Sequence, residues 1–338
     1  SACAKGHFVL VLCMMHNTAK GAGDEHVLPF AVEGADVRGR IVRLGPLVDQ
    51  VLRRHAYPEA VSQLLGEALT LVILLGSSLK FKGSFSLQTK GDGPVPMLIA
   101  DYLASGGTEP GHIRGYAVYD REVDFAACEN DFSQLTGSGY FALTVDPGAG
   151  TERYQGIVAL DGDSLAQCAE RYFQTSEQIP TAIRLSVGRS YLRTPDRMAP
   201  EAATGQWRAG GMLIQHLPKN TQDLRAPEDP IDEHEDWRRC RILMQSATDA
   251  ELIDPDLTNE QLLYRLFHED GVRVFPGQPV AFGCPCTRDR LAGVLLQYSR
   301  PVLEELLQDG HISGSCEFCN ETYRFTLDEL APENILEP

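Results

Sequence analysis

Apolar and polar positions alternate in some parts of the chain and cluster in others, and this difference predicts its secondary structure. The segments VLPFAVEG and VRGRIVRL, within residues 27–44, predict two short strands, followed by a polar helix. Proline is tolerated in a first helical turn, so Pro58 is expected to open the apolar helix that extends to about Lys80. This helix contains the most apolar window of the chain, residues 60–79, but Glu67 interrupts it. We therefore expect a buried core helix.

The next part of the chain predicts a sheet. Residues 81–119 show period-two runs separated by glycine turns, and residues 140–160 predict a hairpin around an Asp-Pro-Gly-Ala-Gly turn. Ser164 can cap a helix over 164–173, and residues 181–187 predict another strand. This mixture predicts an α+β fold: an N-terminal mixed α/β core domain with a largely antiparallel sheet.

The pattern changes in the last part of the chain. Residues 188–209 lack apolar periodicity and predict a loop, whereas residues 210–218 predict the last strand of the first domain. The charged, weakly apolar segment that follows predicts a linker that enters a helix at Pro230. The linker is therefore expected to separate the core domain from a smaller C-terminal unit.

Two capping boxes predict further helices within this linker. Thr248 is followed three residues later by Glu251, and Thr258 is followed by Gln261 at the same spacing. Gly271 can end the second helix. These signals predict a small helical module.

The net charge excludes some partners. The chain of 338 residues holds 30 Lys and Arg against 47 Asp and Glu, a net charge of −17. Phosphate backbones require clustered basic residues, so a nucleic-acid partner is not expected. No run of eighteen apolar residues is present, so a membrane partner is not expected either. Residues 1–23 have the outline of a signal peptide, but their apolar run of about nine residues is short, and we interpret them as an atypical extension.

Four of the nine cysteines lie close together near the C-terminus. Cys284 and Cys286 form one pair, Cys316 and Cys319 form a second pair, and 29 residues lie between the two pairs. Two close pairs at this separation can converge on one tetrahedral ion, and four thiolates match the preferred ligands of zinc. The sequence therefore predicts a Zn²⁺ site, favoured over ordinary free thiols and over an iron–sulfur cluster. His311 is an alternative ligand, although a surface position is expected for it.

Four protein ligands leave no open coordination position, so we expect no catalytic zinc and no enzyme. Two roles stay open at this point. The metal could be purely structural, or it could be a thiol switch, because oxidation of the cysteines removes the donors and the folding free energy that the metal supplies. The residues alone favour the structural role.

The cysteine spacing and its flanks resemble a known family, the redox-regulated chaperones of the 33-kilodalton heat-shock protein family. The flanking runs LLYRLFHEDGVRVF and LQDGHISGSCEFCNETYRF are similar to that family, as are FKGSFSLQTKGDGP, ERYQGIVALDGDSL, YFQTSEQIPT and RAGGMLIQ further upstream. The resemblance covers about residues 26–330. It departs at the first 23 residues and at a longer loop around residues 188–207.

The resemblance implies a cytoplasmic, ATP-independent holdase that is inactive while reduced and zinc-bound. It implies that Cys284, Cys286, Cys316 and Cys319 hold zinc, and that oxidative stress pairs Cys284 with Cys286 and Cys316 with Cys319. Zinc loss would then unfold the linker, expose a surface for unfolded client proteins and accompany dimerisation. The scattered remaining cysteines agree with a reducing compartment.

These inferences divide the chain into four parts. They are the atypical extension (1–23), the chaperone core domain (24–218), the charged helical linker (219–280) and the zinc-binding redox-switch domain (281–338). The linker holds 7 basic and 14 acidic residues, so its helices repel each other and should depend on docking. We expect undocking to expose a set of large apolar side chains, among them Trp237, Leu243, Met244, Leu263 and Phe267.

Other classes of protein remain as alternatives. A zinc-ribbon regulator with a purely structural zinc, which binds nucleic acid or a protein partner, predicts a basic surface near the cysteines, but residues 281–338 hold 4 basic and 10 acidic residues. A thiol oxidoreductase would need an exposed thiol of low pKa in place of four mutually tied ligands. Cys128, Cys168 and Cys240 are expected to be buried and inert.

Overall fold

The structure is a computed structural model. The structure describes residues 23–79, 82–106, 109–127, 131–148, 151–191, 205–216 and 235–330. The predicted extension, apart from Gly23, lies outside these ranges, as do Cys128 and the linker residues before Glu235.

One large, mostly antiparallel sheet organises the described chain. Its strands are β1 (His26–Val32), β2 (Val37–Leu44), β3 (Gly83–Gly91), β4 (Met97–Ala104), β5 (Gly111–Val118), β6 (Gly139–Asp146), β7 (Tyr154–Ala159), β8 (Thr181–Ser190), β9 (Gln206–His216), β10 (Val272–Val274) and β11 (Gln278–Phe282). The order is β7-β6-β3-β4-β5-β11-β1-β2-β9-β8, and β10 pairs with β1. The β11–β5 pair is parallel. A separate two-stranded hairpin, β12 (Ile312–Ser315) and β13 (Thr322–Phe325), lies near the C-terminus.

Helices cover both faces of this sheet, and the last three helices of the described chain pack with the C-terminal hairpin instead. They are α1 (Pro46–Leu52), α2 (Glu59–Gly76), α3 (Phe132–Thr136), α4 (Leu165–Tyr172), α5 (Glu235–Gln245), α6 (Asp249–Ile253), α7 (Asn259–Phe267), α8 (Arg288–Leu295), α9 (Arg300–Glu305) and α10 (Leu327–Leu330). The buried side chains of α1, α2 and α4 belong to one apolar core, and those of α5, α6 and α7 belong to a second one. The sheet therefore separates two cores.

Helix α2 is the centre of the larger core. It is long and apolar enough to meet the length and composition criteria for a membrane span, but 83% of that window is buried inside the fold. Burial of this kind identifies it as a core helix, as the interrupting Glu67 predicted. It ends at Gly76, four residues before the predicted end near Lys80, and Pro58 is its N-cap.

The linker helices pack on the opposite face of the sheet. Trp237, Leu263 and Phe267 are almost fully buried, and the ring of Phe267 stacks on that of Phe30 with centroids 5.8 Å apart. Both predicted capping boxes, at Thr248 and Thr258, are confirmed. In the docked state these helices thus share a core with strands β1, β2 and β9.

Buried arginines hold α6 on the sheet. Arg43 donates hydrogen bonds to the carbonyls of Glu251 (2.7 Å) and Asp254 (3.3 Å). Arg208 donates to the carbonyl of Ile253 at 2.6 Å. Carbonyls at a helix C-terminus lack intrahelical partners, so these guanidinium groups satisfy them. The linker is thereby fixed by directional contacts as well as by apolar packing.

Three sequence predictions need correction. Strand β9 begins at Gln206, inside the predicted loop 188–209, because it continues its ladder with β8 as far as Ser190. The amphipathic run PVLEELLQDG from Pro301 predicts a helix that Gly310 ends, but helix α9 ends at Glu305 and Gly310 lies in a separate turn with φ of +78°. Helix α8 was not predicted at all; its side chains are mostly exposed, so it has no clear apolar stripe.

Segments on both sides of the predicted 280/281 boundary enter the large sheet. Strand β10 pairs with β1, and β11 lies between β5 and β1 while spanning that boundary. The mixed α/β composition and the mostly antiparallel sheet confirm that part of the predicted fold class. The division into domains stays a prediction.

Candidate metal centre

Two chain segments bring the four cysteines together. Cys284 and Cys286 follow directly after β11, and Cys316 and Cys319 lie in the turn between β12 and β13. We call residues 316–321 the cysteine turn. The amide of Asn320 donates to the carbonyl of Cys316 at 2.7 Å, and the amide of Cys316 donates to the carbonyl of Glu321 at 2.9 Å. These bonds close the turn that carries both cysteines.

The four sulfur atoms form a cluster of the size that a metal ion requires. The Sγ atoms of Cys284 and Cys316 are 3.7 Å apart, and those of Cys286 and Cys319 are 3.2 Å apart. All four lie within 4.8 Å of one another. Zinc–sulfur bonds of about 2.3 Å in a tetrahedron place the sulfurs about 3.8 Å apart. Among the described residues, these four cysteines are also the one group of three or more side chains that could together bind a metal ion.

The electrostatics of the cluster also favour a cation. Burial raises the pKa of the Cys284 and Cys319 thiols. Burial opposes ionisation of Cys286 too, but hydrogen bonds from Cys319 and Cys284 outweigh it and lower the pKa of Cys286. The Tyr323 hydroxyl lies 3.7 Å from the Cys286 sulfur. Four adjacent thiolates repel each other, so a bound cation is needed to keep all of them ionised.

Other candidate residues lie apart from the cluster. His311 is exposed, with its Nδ1 3.1 Å from the carbonyl oxygen of Asp309, and it is not a member of the cysteine group. Cys168 and Cys240 are free and buried, and burial raises the pKa of Cys240 to about 12. The prediction that these two thiols are buried is confirmed.

The cysteine turn docks onto the large domain through backbone contacts. Arg54, just after α1, donates from Nη1 to the carbonyl of Cys319 at 3.0 Å. Asn320 returns a hydrogen bond from its side-chain amide to the carbonyl of Arg54 at 2.8 Å. The backbone carbonyl of Cys319, a candidate metal ligand, is therefore hydrogen-bonded directly to a core residue.

An aromatic side chain inside the turn makes the second contact. The Phe318 ring and the ring of Tyr116 on β5 form a T-shaped pair with centroids 4.8 Å apart, and the Arg114 guanidinium lies over the Phe318 ring. Asp101 on β4 orients Arg114 through a 2.8 Å ion pair. Sequence reasoning missed these residues. The one local signal was the aromatic residue between Cys316 and Cys319, which metal binding alone does not require.

The rest of the C-terminal part has little core of its own. We call residues 283–330 the C-terminal module. Its apolar cluster has five buried side chains, those of Leu295, Leu303, Ile312, Phe325 and Leu330, with five partly buried ones packed against them. A unit of this size usually needs a metal or a disulfide to fold. The cysteine cluster can supply that support.

Known proteins are similar to this chain in sequence and fold. The sequence model of the Hsp33 protein family matches residues 25–326. A 33 kDa chaperonin of Caulobacter vibrioides is 41% identical over 314 residues, covering 90% of this chain and 95% of that protein. One of Ectopseudomonas mendocina is 38% identical, covering 89% and 92%. The crystal structure of the Thermotoga maritima 33 kDa chaperonin superimposes with a TM-score of 0.68 at 24% identity, covering 90% of this chain and 96% of that one.

The fold and the site together define a class: a mixed α/β protein with a docked helical segment and a C-terminal four-cysteine centre that could hold a metal ion. The chain belongs to the Hsp33 protein family. This membership confirms the resemblance stated above and supports a chaperone role. The family is generally non-enzymatic; the absence of catalysis, the identity of the ion and the redox chemistry stay predictions.

Proposed function

We propose that this chain is an ATP-independent holdase that is activated by disulfide formation and zinc release. The observation that carries the proposal is the direct contact between the four-cysteine cluster and the core: the Cys319 carbonyl is bonded to Arg54, and Phe318 is packed against Arg114 and Tyr116. Any change in the cysteine turn must alter this contact. Family membership supports the chaperone role independently.

The cysteines Cys284, Cys286, Cys316 and Cys319 would hold Zn²⁺ in the reduced state. When bound, the ion supplies positive charge and crosslinks the two cysteine segments. Oxidation by a peroxide would form the disulfides Cys284–Cys286 and Cys316–Cys319. Each disulfide releases two electrons, and each pair of electrons reduces one peroxide O–O bond to two molecules of water or hydroxide. Four thiolate donors are lost in the process.

Loss of the donors would destabilise the C-terminal module. Its five-residue core cannot replace the folding free energy that a metal supplies. The cysteine turn would lose its shape, and with it the hydrogen bond to Arg54 and the Phe318 packing. Strand β11 directly precedes Cys284 and pairs with β1 and β5, so disorder can propagate into the sheet and the linker.

Undocking of the linker would create the client-binding surface. The second core consists of side chains from the linker helices and from strands β1, β2, β8 and β9. Separation would expose both halves, including Trp237, Met244 and Phe267 on the linker side and Phe30 and Ile41 on the sheet side. Contiguous exposed apolar area binds unfolded proteins without nucleotide hydrolysis. A cytoplasmic location, a dimeric active form and the lack of nucleic-acid or membrane partners belong to the same proposal.

The test measures aggregation of a heat-unfolded client protein in the presence of reduced, metal-loaded protein and of peroxide-treated protein. Metal content and metal release are followed in the same samples. We expect one zinc per chain when reduced, its release on oxidation, and suppression of aggregation only after oxidation. Cys286→Ser should lose the metal, whereas Cys240→Ala, a matched cysteine outside the cluster, should retain it.

Equal suppression of aggregation in both states would leave the metal as a purely structural element and overturn the switch. Retention of a full equivalent of metal by Cys286→Ser would overturn the ligand assignment. Suppression that requires ATP would overturn the holdase mechanism.

A further inference from the structure

A cleft lined by arginines lies on the α2 face of the sheet, away from the cysteine cluster. We call it the arginine cleft. It has a volume of about 500 Å³. The described residues that line it are Pro29, Phe30, Ala31, Arg38, Gly39, Arg40, Ser78, Gln215, Arg273 and Phe275. All charged side chains in this set are arginines, although the whole chain has a net charge of −17. This local reversal of sign indicates an anionic ligand.

Strand register places the arginines on opposite sides of a small-residue floor. Ala31 on β1 is paired with Arg273 on β10 and, on its other side, with Arg38 on β2. Directly paired residues point to the same face of a sheet. Two strand spacings separate the outer backbones by about 10 Å, a width that lets guanidinium groups from both sides reach one tetrahedral anion. Ala31 provides no bulk that would block the space between them.

Arg40 is the most buried of the three arginines that line the cleft. It lies beside the floor residue Pro29, and its Nε is buried with no hydrogen-bond partner within the part of the chain that the structure describes. Burial lowers the pKa of this guanidinium. A buried guanidinium nitrogen without a hydrogen-bond partner carries a desolvation cost, which an anion in the cleft would offset. Arg273 is already partnered, with Nε 3.3 Å from the Glu33 carboxylate and its guanidinium 5.1 Å from the ring centroid of Phe275.

From this juxtaposition of Arg38, Arg40 and Arg273 we propose that the arginine cleft binds a phosphate-type oxyanion. A multiply charged tetrahedral oxyanion can accept hydrogen bonds from several guanidinium groups at once. The two oxygens of a carboxylate, in contrast, are already used when one arginine binds in the bidentate way. The ligand is therefore phosphate itself or a small molecule that carries a phosphate group.

The position of the cleft gives this ligand a regulatory consequence, which rests on the function proposed above. Arg38 and Arg40 belong to the core strand β2, but Arg273 and Phe275 belong to the predicted linker. The complete cleft therefore exists only while β10 is paired with β1. A ligand that binds one state and not the other shifts the equilibrium toward the state it binds. Phosphate would hold the linker docked and delay activation.

Equilibrium dialysis of radiolabelled inorganic phosphate tests the binding site on the full, reduced, metal-loaded chain at constant ionic strength. We expect one saturable site, weakened about tenfold or more in Arg40→Gln and in Arg273→Gln, since hydrogen bonds to charged groups are lost. Arg273 is exposed, so its variant keeps the comparison valid if Arg40→Gln folds poorly. Arg238→Gln, an exposed arginine on α5 outside the cleft, should bind phosphate like the unaltered chain.

Non-saturable binding, or equal affinity in the cleft variants and in Arg238→Gln, would overturn the site. The regulatory step has a separate readout, the peroxide dose that half-activates the chaperone with and without phosphate. We expect phosphate to raise this dose in the unaltered chain and not in Arg273→Gln. Saturable binding without such a shift would overturn the regulatory step alone. The proposed function is tested separately, by whether oxidation produces a holdase in the absence of phosphate.

Discussion

The guanidinium carbon of Arg114 lies 3.8 Å from the ring centroid of Phe318. One residue belongs to the middle of the large sheet, and the other lies between two candidate metal ligands. The pair joins parts of the chain that are about two hundred residues apart, and it makes the sheet sensitive to the shape of the cysteine turn. This contact, the docking of the linker helices, the four-cysteine cluster and the Glu67 carboxyl of α2 each lead to one testable prediction.

Removal of the Phe318 ring should loosen the module without removing a cysteine. Phe318→Ala loses the contacts with Arg114 and Tyr116, which contribute about 1–2 kcal/mol together. We expect full metal content, faster hydrogen exchange in β5 and activation at a lower peroxide dose. Tyr298→Ala is the control, because Tyr298 lies in the same module and is 51% exposed. Identical exchange and activation in both variants would show that the Phe318 contact does not transmit the change.

A single methyl group should disturb linker docking. A Cβ atom at Gly210 would lie 2.1 Å from the carbonyl oxygen of Leu252 in α6. Gly210→Ala must displace α6, at a cost of about 1–3 kcal/mol in the free energy of docking. Hydrogen exchange should increase in α5–α7 before it increases in β3–β6, and part of the holdase activity should appear without oxidation.

The control for this substitution is Gly293→Ala in α8, where a Cβ atom would meet nothing within 4 Å among the described residues. We expect it to leave exchange and activity unchanged. Unchanged exchange in the α5–α7 segment of Gly210→Ala would contradict the close approach of α6 to β9.

Removal of the metal under reducing conditions should unfold the C-terminal module selectively. A zinc chelator in the presence of a thiol reductant removes the ion while no disulfide can form. We expect loss of exchange protection in residues 283–330, since their five-residue core is too small to fold alone, and retention of protection in α2 and β3–β6. If the module kept its protection without metal, it would not depend on the cluster for folding.

Stability of the core should depend on the ionisation of Glu67. Burial raises the pKa of this carboxyl from 4.5 to about 7, and Asp249 adds a smaller repulsion. The folded state therefore binds a proton more tightly than the unfolded state between these two pH values. The free energy of unfolding of the protein therefore falls as pH rises through this interval. Above pH 7 this carboxyl lowers it by up to about 3 kcal/mol relative to its value below pH 4.5.

Glu67→Gln should remove this dependence. We expect the variant to be more stable than the unaltered chain at pH 8 and close to it at pH 4, measured by denaturant unfolding of the sheet domain. Glu59→Gln at the exposed start of α2 is the matched control. A parallel pH profile for Glu67→Gln and the unaltered chain would contradict the shifted ionisation.

Much of the local structure could be predicted from the sequence. The capping boxes at Thr248 and Thr258, the helix capped by Ser164 and the hairpin over 140–160 are all present, because short-range side-chain hydrogen bonds and turn residues define them. Errors occurred where pairing with distant residues decides the element. Gln206 is in a strand because β8 offers a partner, although its own segment shows no periodicity.

The sequence by itself determined the four cysteines, their paired spacing and the charged character of the linker, since all of these are properties of neighbouring residues. Only the tertiary structure decided that β11 lies between β5 and β1, that Phe318 contacts Arg114, and that arginines from β2 and β10 face each other across Ala31. Such contacts join residues tens to hundreds of positions apart. They depend on how whole surfaces pack, and no local period or spacing encodes that.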